Sequence, residues 1–143
     1  ECDSSIASVL PAVEAVAFHL PIQLTRGMKW TDTVSISSCQ GSTQVRVTRR
    51  NTYAVRGEQD QDGHSLLLID RTDSTSTAGE GAQGQHWLSI RAEGTGSTQF
   101  QLDLPTGALF HSETQHTDTV AITVSGRTQK FIQAIRETVS LSR

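Results

Sequence analysis

Phe100-Gln101-Leu102-Asp103-Leu104 alternates apolar and polar residues without a break, and Thr33-Val34-Ser35-Ile36-Ser37 does the same. A strand sends successive side chains to opposite faces, so a period of two marks a half-buried strand rather than a helix. The same texture extends from Trp30 to Leu141. Val45, Val47, Tyr53 and Val55 share one parity, and Arg49 and Asn51 intrude on it, which predicts a bulge near Arg49. Ser65 to Thr77 opens on Leu66-Leu67-Leu68-Ile69, so its start is expected to be buried on both faces and its end exposed. Trp87, Leu88, Ile90 and Ala92 make another strand, and Val120, Ile122 and Val124 another. The stretch from Thr128 to Leu141 carries Phe131, Ile135, Val139 and Leu141 on one parity and also reads as a strand.

Turn residues punctuate these runs. Gln40-Gly41-Ser42, Asp60-Gln61-Asp62-Gly63, Gly79-Glu80-Gly81, Gly94-Thr95-Gly96, Pro105-Thr106-Gly107 and Ser125-Gly126-Arg127 are each read as connections. The expected fold is all-β: one domain of about eight long antiparallel strands in meander order, a half-barrel or a closed up-and-down barrel.

Residues 1–25 differ. Ile6, Val9, Leu10, Val13 and Val16 recur at three- and four-residue steps, the spacing of one helical face. A short helix or arm is expected there, ahead of a β domain over residues 26–143; a strand over residues 13–18 is the alternative. This apolar stripe is a candidate docking segment.

Composition narrows the function. The chain has 143 residues and a formal charge of −3 with both signs interspersed, so it offers no basic field for nucleic acid. No apolar run approaches the length of a membrane-spanning helix. Ser and Thr together number 34, which suits wide, solvated sheet faces. Arg outnumbers Lys ten to two and Asn51 is the only Asn, a bias associated with GC-rich bacterial genomes. Cys2 and Cys39 are the only cysteines and have no His at ligand spacing, so a single disulfide between them is expected. A bridge implies an oxidising compartment, hence a periplasmic or extracellular chain processed from a longer precursor.

Motifs for chemistry are weak. Asp60-x-Asp62-Gly63 starts like a calcium loop, but Arg71 stands where the closing Glu would be. The glycines from Gly79 to Gly96 lack the Lys-Ser/Thr ending of a phosphate loop. His111, Glu113 and His116 lie close in sequence, yet on a strand His116 points away from the other two. His19, His64 and His86 stand alone. No Gly-x-Ser-x-Gly elbow occurs. Arg46, Arg49, Arg50 and Arg56 fall on both faces of one strand and read as a solvated, ion-paired face. Trp30 and Trp87 read as core anchors. No catalytic, metal or cofactor residue is assigned.

Asp103-x-x-Thr106-Gly107-x-Leu109 is a strand-end Asp leading through a tight turn into the next long strand. It resembles a turn of bacterial envelope proteins with lipoprotein-carrier-like curved sheets. Gly27-x-x-Trp30-x-Asp32-Thr33 is similar to openings of secreted bacterial domains. The resemblance spans residues 27–141 and implies a curved sheet around an apolar cavity for acyl chains; no functional residue is carried over from it. The expected function is a non-enzymatic envelope protein with an interaction role, such as an extrinsic periplasmic accessory subunit of a membrane complex of respiratory or photosynthetic type. The alternative is a binder or carrier of an apolar ligand, such as a lipid, in the concave face.

Overall fold

The computed structural model describes residues 23–40 and 43–140. Six strands follow one another: β1 (Lys29–Gln40), β2 (Thr43–Gln61), β3 (His64–Gln83), β4 (His86–Asp103), β5 (Leu109–Val124) and β6 (Arg127–Ser140). They form one antiparallel sheet in the order β1-β2-β3-β4-β5-β6, with no helix among the described residues. The sheet is open, not a closed barrel: β1 and β6 are its two edges. The expected helix or arm of residues 1–25, with Ile6, Val9, Leu10, Val13 and Val16, lies outside the described residues up to position 22, as does the Gly41-Ser42 connection.

The strand count is six rather than eight because two of the expected breaks are strand interior. β4 runs straight through Gly94-Thr95-Gly96, and β5 runs unbroken from Leu109 to Val124. Gly79-Glu80-Gly81 is also strand, and the chain instead reverses at Gly84-Gln85. Where two consecutive residues do take positive φ, the reversal is tight. Asp62 (φ 51°) and Gly63 (φ 80°) join β2 to β3, and Ser125 (φ 48°) and Gly126 (φ 80°) join β5 to β6. Both are the primed hairpin turns whose twist matches that of the flanking strands. The bulge of β2 falls between Val55 and Gly57, not near Arg49. Arg49 and Asn51 therefore stay in register on the same face as Val45 and Tyr53.

That face carries the core; we call it inner. Tyr53, Val55, Leu67, Ile69, Phe100 and Leu102 form its main cluster, with Leu24, Met28, Trp30 and Leu109 packed against it. Trp30 anchors as expected, stacked on Tyr53 with ring centroids 4.9 Å apart. Trp87 does not: it is 59% exposed at the start of β4. The start of β3 is buried at Leu66, Leu67 and Ile69, but burial persists further on, at Arg71, Asp73 and Thr75. The outer face is Ser- and Thr-rich and open to solvent. Arg46, Arg50 and Arg56 are exposed there, and Arg56 pairs with Asp70.

Cys39 sits near the end of β1 and is not a free thiol. Its expected partner Cys2 lies outside the described residues.

Candidate functional site: a polar belt across the inner face

The apolar inner face is interrupted halfway along the strands by a belt of polar side chains. Register places them in rows. Asn51, Asp73, Gly96, His116 and Ile135 stand opposite one another on β2 through β6. The adjacent row is Arg49, Thr75, Gly94, Asp118 and Gln133, and the row on the other side is Tyr53, Arg71, Thr98, Thr114 and Glu137.

The two glycines explain how the belt closes. On β4, Gly96 presents no side chain between Asp73 and His116, and Gly94 none between Thr75 and Asp118. Side chains of β3 and β5, two strands apart, therefore meet over β4. A methyl group at position 94 would collide with Asp118 and come within 2.8 Å of His116 Nε2. One at position 96 would collide with His116 and come within 2.9 Å of Asp73 Oδ1. These glycines are seats for a neighbour, one of the recognised uses of Gly within a strand.

His116 is held between two carboxylates. Its Nε2 lies 3.0 Å from Asp118 Oδ1, and its Nδ1 lies 3.1 Å from Asp73 Oδ2. Both ring nitrogens therefore face carboxylate oxygens. The Asp73 contact is an ion-pair approach without an aligned hydrogen bond, since Oδ2 has no hydrogen-bond partner. The side chains are 10% exposed for His116 and 1% for Asp73, so the contact is essentially inside. Arg71 brings a cation to the same carboxylate. Its Nε lies 3.8 Å from Asp73 Oδ1, its Nη2 donates to Thr98 Oγ1 at 2.8 Å, and its guanidinium lies 5.2 Å from the centre of the Phe100 ring.

At the β1 side of the belt, Asn51 Nδ2 donates to Asp32 Oδ1 at 2.6 Å and the Tyr53 hydroxyl donates to Asp32 Oδ2 at 3.3 Å. Burial, and then the Asp32 carboxylate, push the Tyr53 phenol from 10.0 up to about 12.

Thr75 Oγ1 lies 3.2 Å from His116 Nε2, and with Asp73 beyond the ring this outlines a nucleophile–base–acid series. The chemistry does not follow. Thr75 donates instead to Asp118 at 3.1 Å, so its hydroxyl proton is directed to the carboxylate and not to the ring. The neighbouring backbone N–H groups are engaged in the sheet ladder, leaving no pair of donors for an oxyanion. Over the belt lies a cavity of about 440 Å³, with Arg49, Arg71, Asp73, His116 and Asp118 among its lining and Ile135 and Val139 of β6 at its side.

The sequence trio separates as strand parity requires. His111 lies beside Glu113 (3.5 Å) and Ser140 (2.7 Å), whereas His116 faces the belt. Among the described residues no group of three His, Cys, Asp or Glu is placed to hold a metal ion. Of the arginine cluster, only Arg49 reaches the inner face. The Asp103–Gly107 turn is built as its sequence suggests. Thr106 Oγ1 donates to Asp103 Oδ2, Gly107 N donates to Asp103 O at 2.7 Å, and Gly107 takes a φ of 68°. The Thr106 hydroxyl holds the Asp103 carboxyl below its usual range.

At the far edge, β6 is exposed along its whole length, with Phe131 at 45%, Ile132 at 73%, Ile135 at 44% and Val139 at 39%. No helix among the described residues is long and apolar enough to cross a membrane. No family model matches this chain, and no curated protein or solved structure is significantly similar to it.

Proposed function

We propose that this protein is an exported, non-enzymatic interaction domain, an extrinsic accessory subunit that works by docking through its open sheet edge. The observation that carries the reading is β6: a 14-residue edge strand, exposed on both faces, bearing four large apolar side chains. An uncovered edge is a row of unpaired backbone donors and acceptors, and proteins ordinarily shield it. β6 has no Pro, no bulge against β5 and no covering segment among the described residues. Addition of a partner strand would pair those groups and cover the apolar side chains together. The cysteine pair supports an oxidising compartment.

The apolar-ligand reading has less support. The cavity is lined by the charged groups of Arg71, Asp73, His116 and Asp118 as well as by Val47, Phe100, Leu109, Ile135 and Val139, and a hydrocarbon chain laid there would desolvate the charged part of the lining.

The test is an edge block. The hairpin turn makes Val124 and Arg127 a hydrogen-bonded pair, so the N–H groups of even-numbered β6 residues point outwards. Ala134→Pro removes one outward donor and leaves the pairing with β5 intact. Native capture from bacterial membranes with the wild-type chain and with Ala134→Pro compares the two. Partner recovery that depends on a free edge is expected; equal recovery by both refutes docking through β6.

A further inference from the structure

We infer that β6 pairs with β6 of a second copy of this chain, antiparallel about a two-fold axis at Ile135; this rests on the edge-docking reading and names its partner. The argument is the pattern of β6 itself. On the inner face the strand reads Phe131, Gln133, Ile135, Glu137, Val139: apolar, polar, apolar, polar, apolar. That series is a palindrome of residue character centred on Ile135. A two-fold axis there sets Phe131 opposite Val139 of the second copy, Ile135 opposite Ile135, and Gln133 opposite Glu137. On the outer face, Ile132 meets Thr138, Ala134 meets Arg136, and Lys130 meets Ser140. Over residues 130–140 no like charges oppose one another.

Other registers fail on the same residues. Sheet continuity keeps inner residues opposite inner residues, so the axis moves one position at a time. Centred on position 134 or 136, it sets apolar residues against polar ones, Phe131 against Glu137 in the first case and Ile135 against Glu137 in the second. Centred on Gln133, it sets Lys130 against Arg136 twice over, and like charges directly opposite are destabilising. Centred on Glu137, it sets two carboxylates face to face. On the inner face the Ile135 register alone sets every apolar residue of β6 against another. It is also isologous, so the assembly closes as a dimer and does not grow into a filament.

Ile135 is oriented for a direct test. Odd-numbered β6 residues direct their backbone groups into β5, so across the new pairing Ile135 and its copy form a non-hydrogen-bonded pair, with Cα atoms about 4.5 Å apart. That lies within the span of about 4.4–6.8 Å that a disulfide bridges. Ile135→Cys is therefore expected to give a disulfide-linked dimer under mild oxidation of the full chain, read on a non-reducing gel. Gln133→Cys alone should not cross-link, but mixed with Glu137→Cys it should. Sedimentation at about 100 µM should show a reversible dimer for the wild type. Ala134→Pro should sediment as a monomer, as should Ile132→Lys, with circular dichroism confirming that both stay folded. A wild type monomeric throughout, or cross-linking at Gln133→Cys as readily as at Ile135→Cys, overturns the inference. A wild-type monomer whose capture of a different protein still depends on Ala134 overturns self-pairing and leaves edge docking standing. Loss of neither property in Ala134→Pro overturns both.

Discussion

Gly96→Ala tests whether the mid-strand glycines exist to seat His116. The added methyl would overlap His116 Nδ1, approach Asp73 Oδ1 to 2.9 Å and approach the Gln115 carbonyl oxygen to 3.0 Å. The imidazole can turn away, but the carbonyl belongs to the β5 ladder and cannot. Three effects set the size of the change. Ala gains about 0.5–1 kcal/mol over Gly inside a strand through backbone entropy. Crowding a packed site costs about 1–3 kcal/mol. Displacing the ring unpairs a buried ion, which costs about 3–5 kcal/mol when it is complete. Here the loss is partial, because Arg71 still faces Asp73. The net is a destabilisation of about 2–4 kcal/mol, more than entropy can offset.

The assay is urea unfolding followed by tryptophan fluorescence, with Thr95→Ala as control. Thr95 lies between the two glycines but is exposed on the other face, so its change should stay within about 0.5 kcal/mol. The double variant Gly96→Ala with His116→Ala should lose less than the sum of the single losses, because removing the ring makes room for the methyl. A Gly96→Ala protein as stable as the wild type would refute this account of the belt.

Three further outcomes follow from named groups. Tyr53 is the only tyrosine in the chain, so tyrosinate absorbance reports it alone. The folded protein should titrate near 12 and the urea-unfolded chain near 10.0. Because the folded value is the higher, Tyr53's contribution to stability is whole below pH 10 and fades as pH rises towards 12; Asp32→Asn should lower the folded midpoint. Asp103 is shifted the other way, first by the Thr106 hydroxyl, so its contribution is present above the usual carboxylate range and disappears as pH falls through the lowered value. NMR titration of Thr106→Val should show the Asp103 midpoint moving up, and an unmoved midpoint contradicts the assigned cause. For the cysteines, alkylation without reductant should leave the intact mass unchanged; uptake of two labels rules out the Cys2–Cys39 bridge.

The fold was legible where alternation is clean, from Val34 and Ile36 through Phe100 to Leu104, because period two needs no knowledge of partners. The count failed at glycines. Gly79-Glu80-Gly81 and Gly94-Thr95-Gly96 have turn composition, yet Gly at i and i+2 on a strand also clears one face for large neighbours. Only pairing tells the two uses apart. Arg49 misplaces the bulge for a related reason: a charged residue on an apolar parity looks like a backbone irregularity, whereas the inner face carries a polar belt at that level. Trp87 suggests core by residue type, but it begins β4 beside a turn, beyond the packed face. The parity of His116 was correct from the sequence. Its partners were not visible, since Asp73 and Asp118 become its neighbours only through the register of three strands and the absence of a side chain at Gly96.

The belt also bears on why this sheet has one register at all. The outer faces of β4 and β5 offer little discrimination. Thr95, Ser97 and Gln99 stand against Thr117, Gln115 and Glu113, and a two-residue slip trades one small polar pair for another. Long strands with such faces are prone to slip. The inner face does not permit it. A slip in one direction brings His116 against Gly94 but sets Asp118 against Ala92, whose methyl fills the space that Gly94 leaves. A slip in the other direction sets His116 against Thr98 and crowds the ring. Either way Asp73 loses His116 and keeps only Arg71 on its own strand, and taking a partner from a buried carboxylate is among the costlier faults a core can carry. A belt that contributes little net stability thus excludes the neighbouring registers. The β5–β6 register is set separately, by the two-residue Ser125-Gly126 turn, which holds Ile135 in the row of His116 at the middle of the exposed edge.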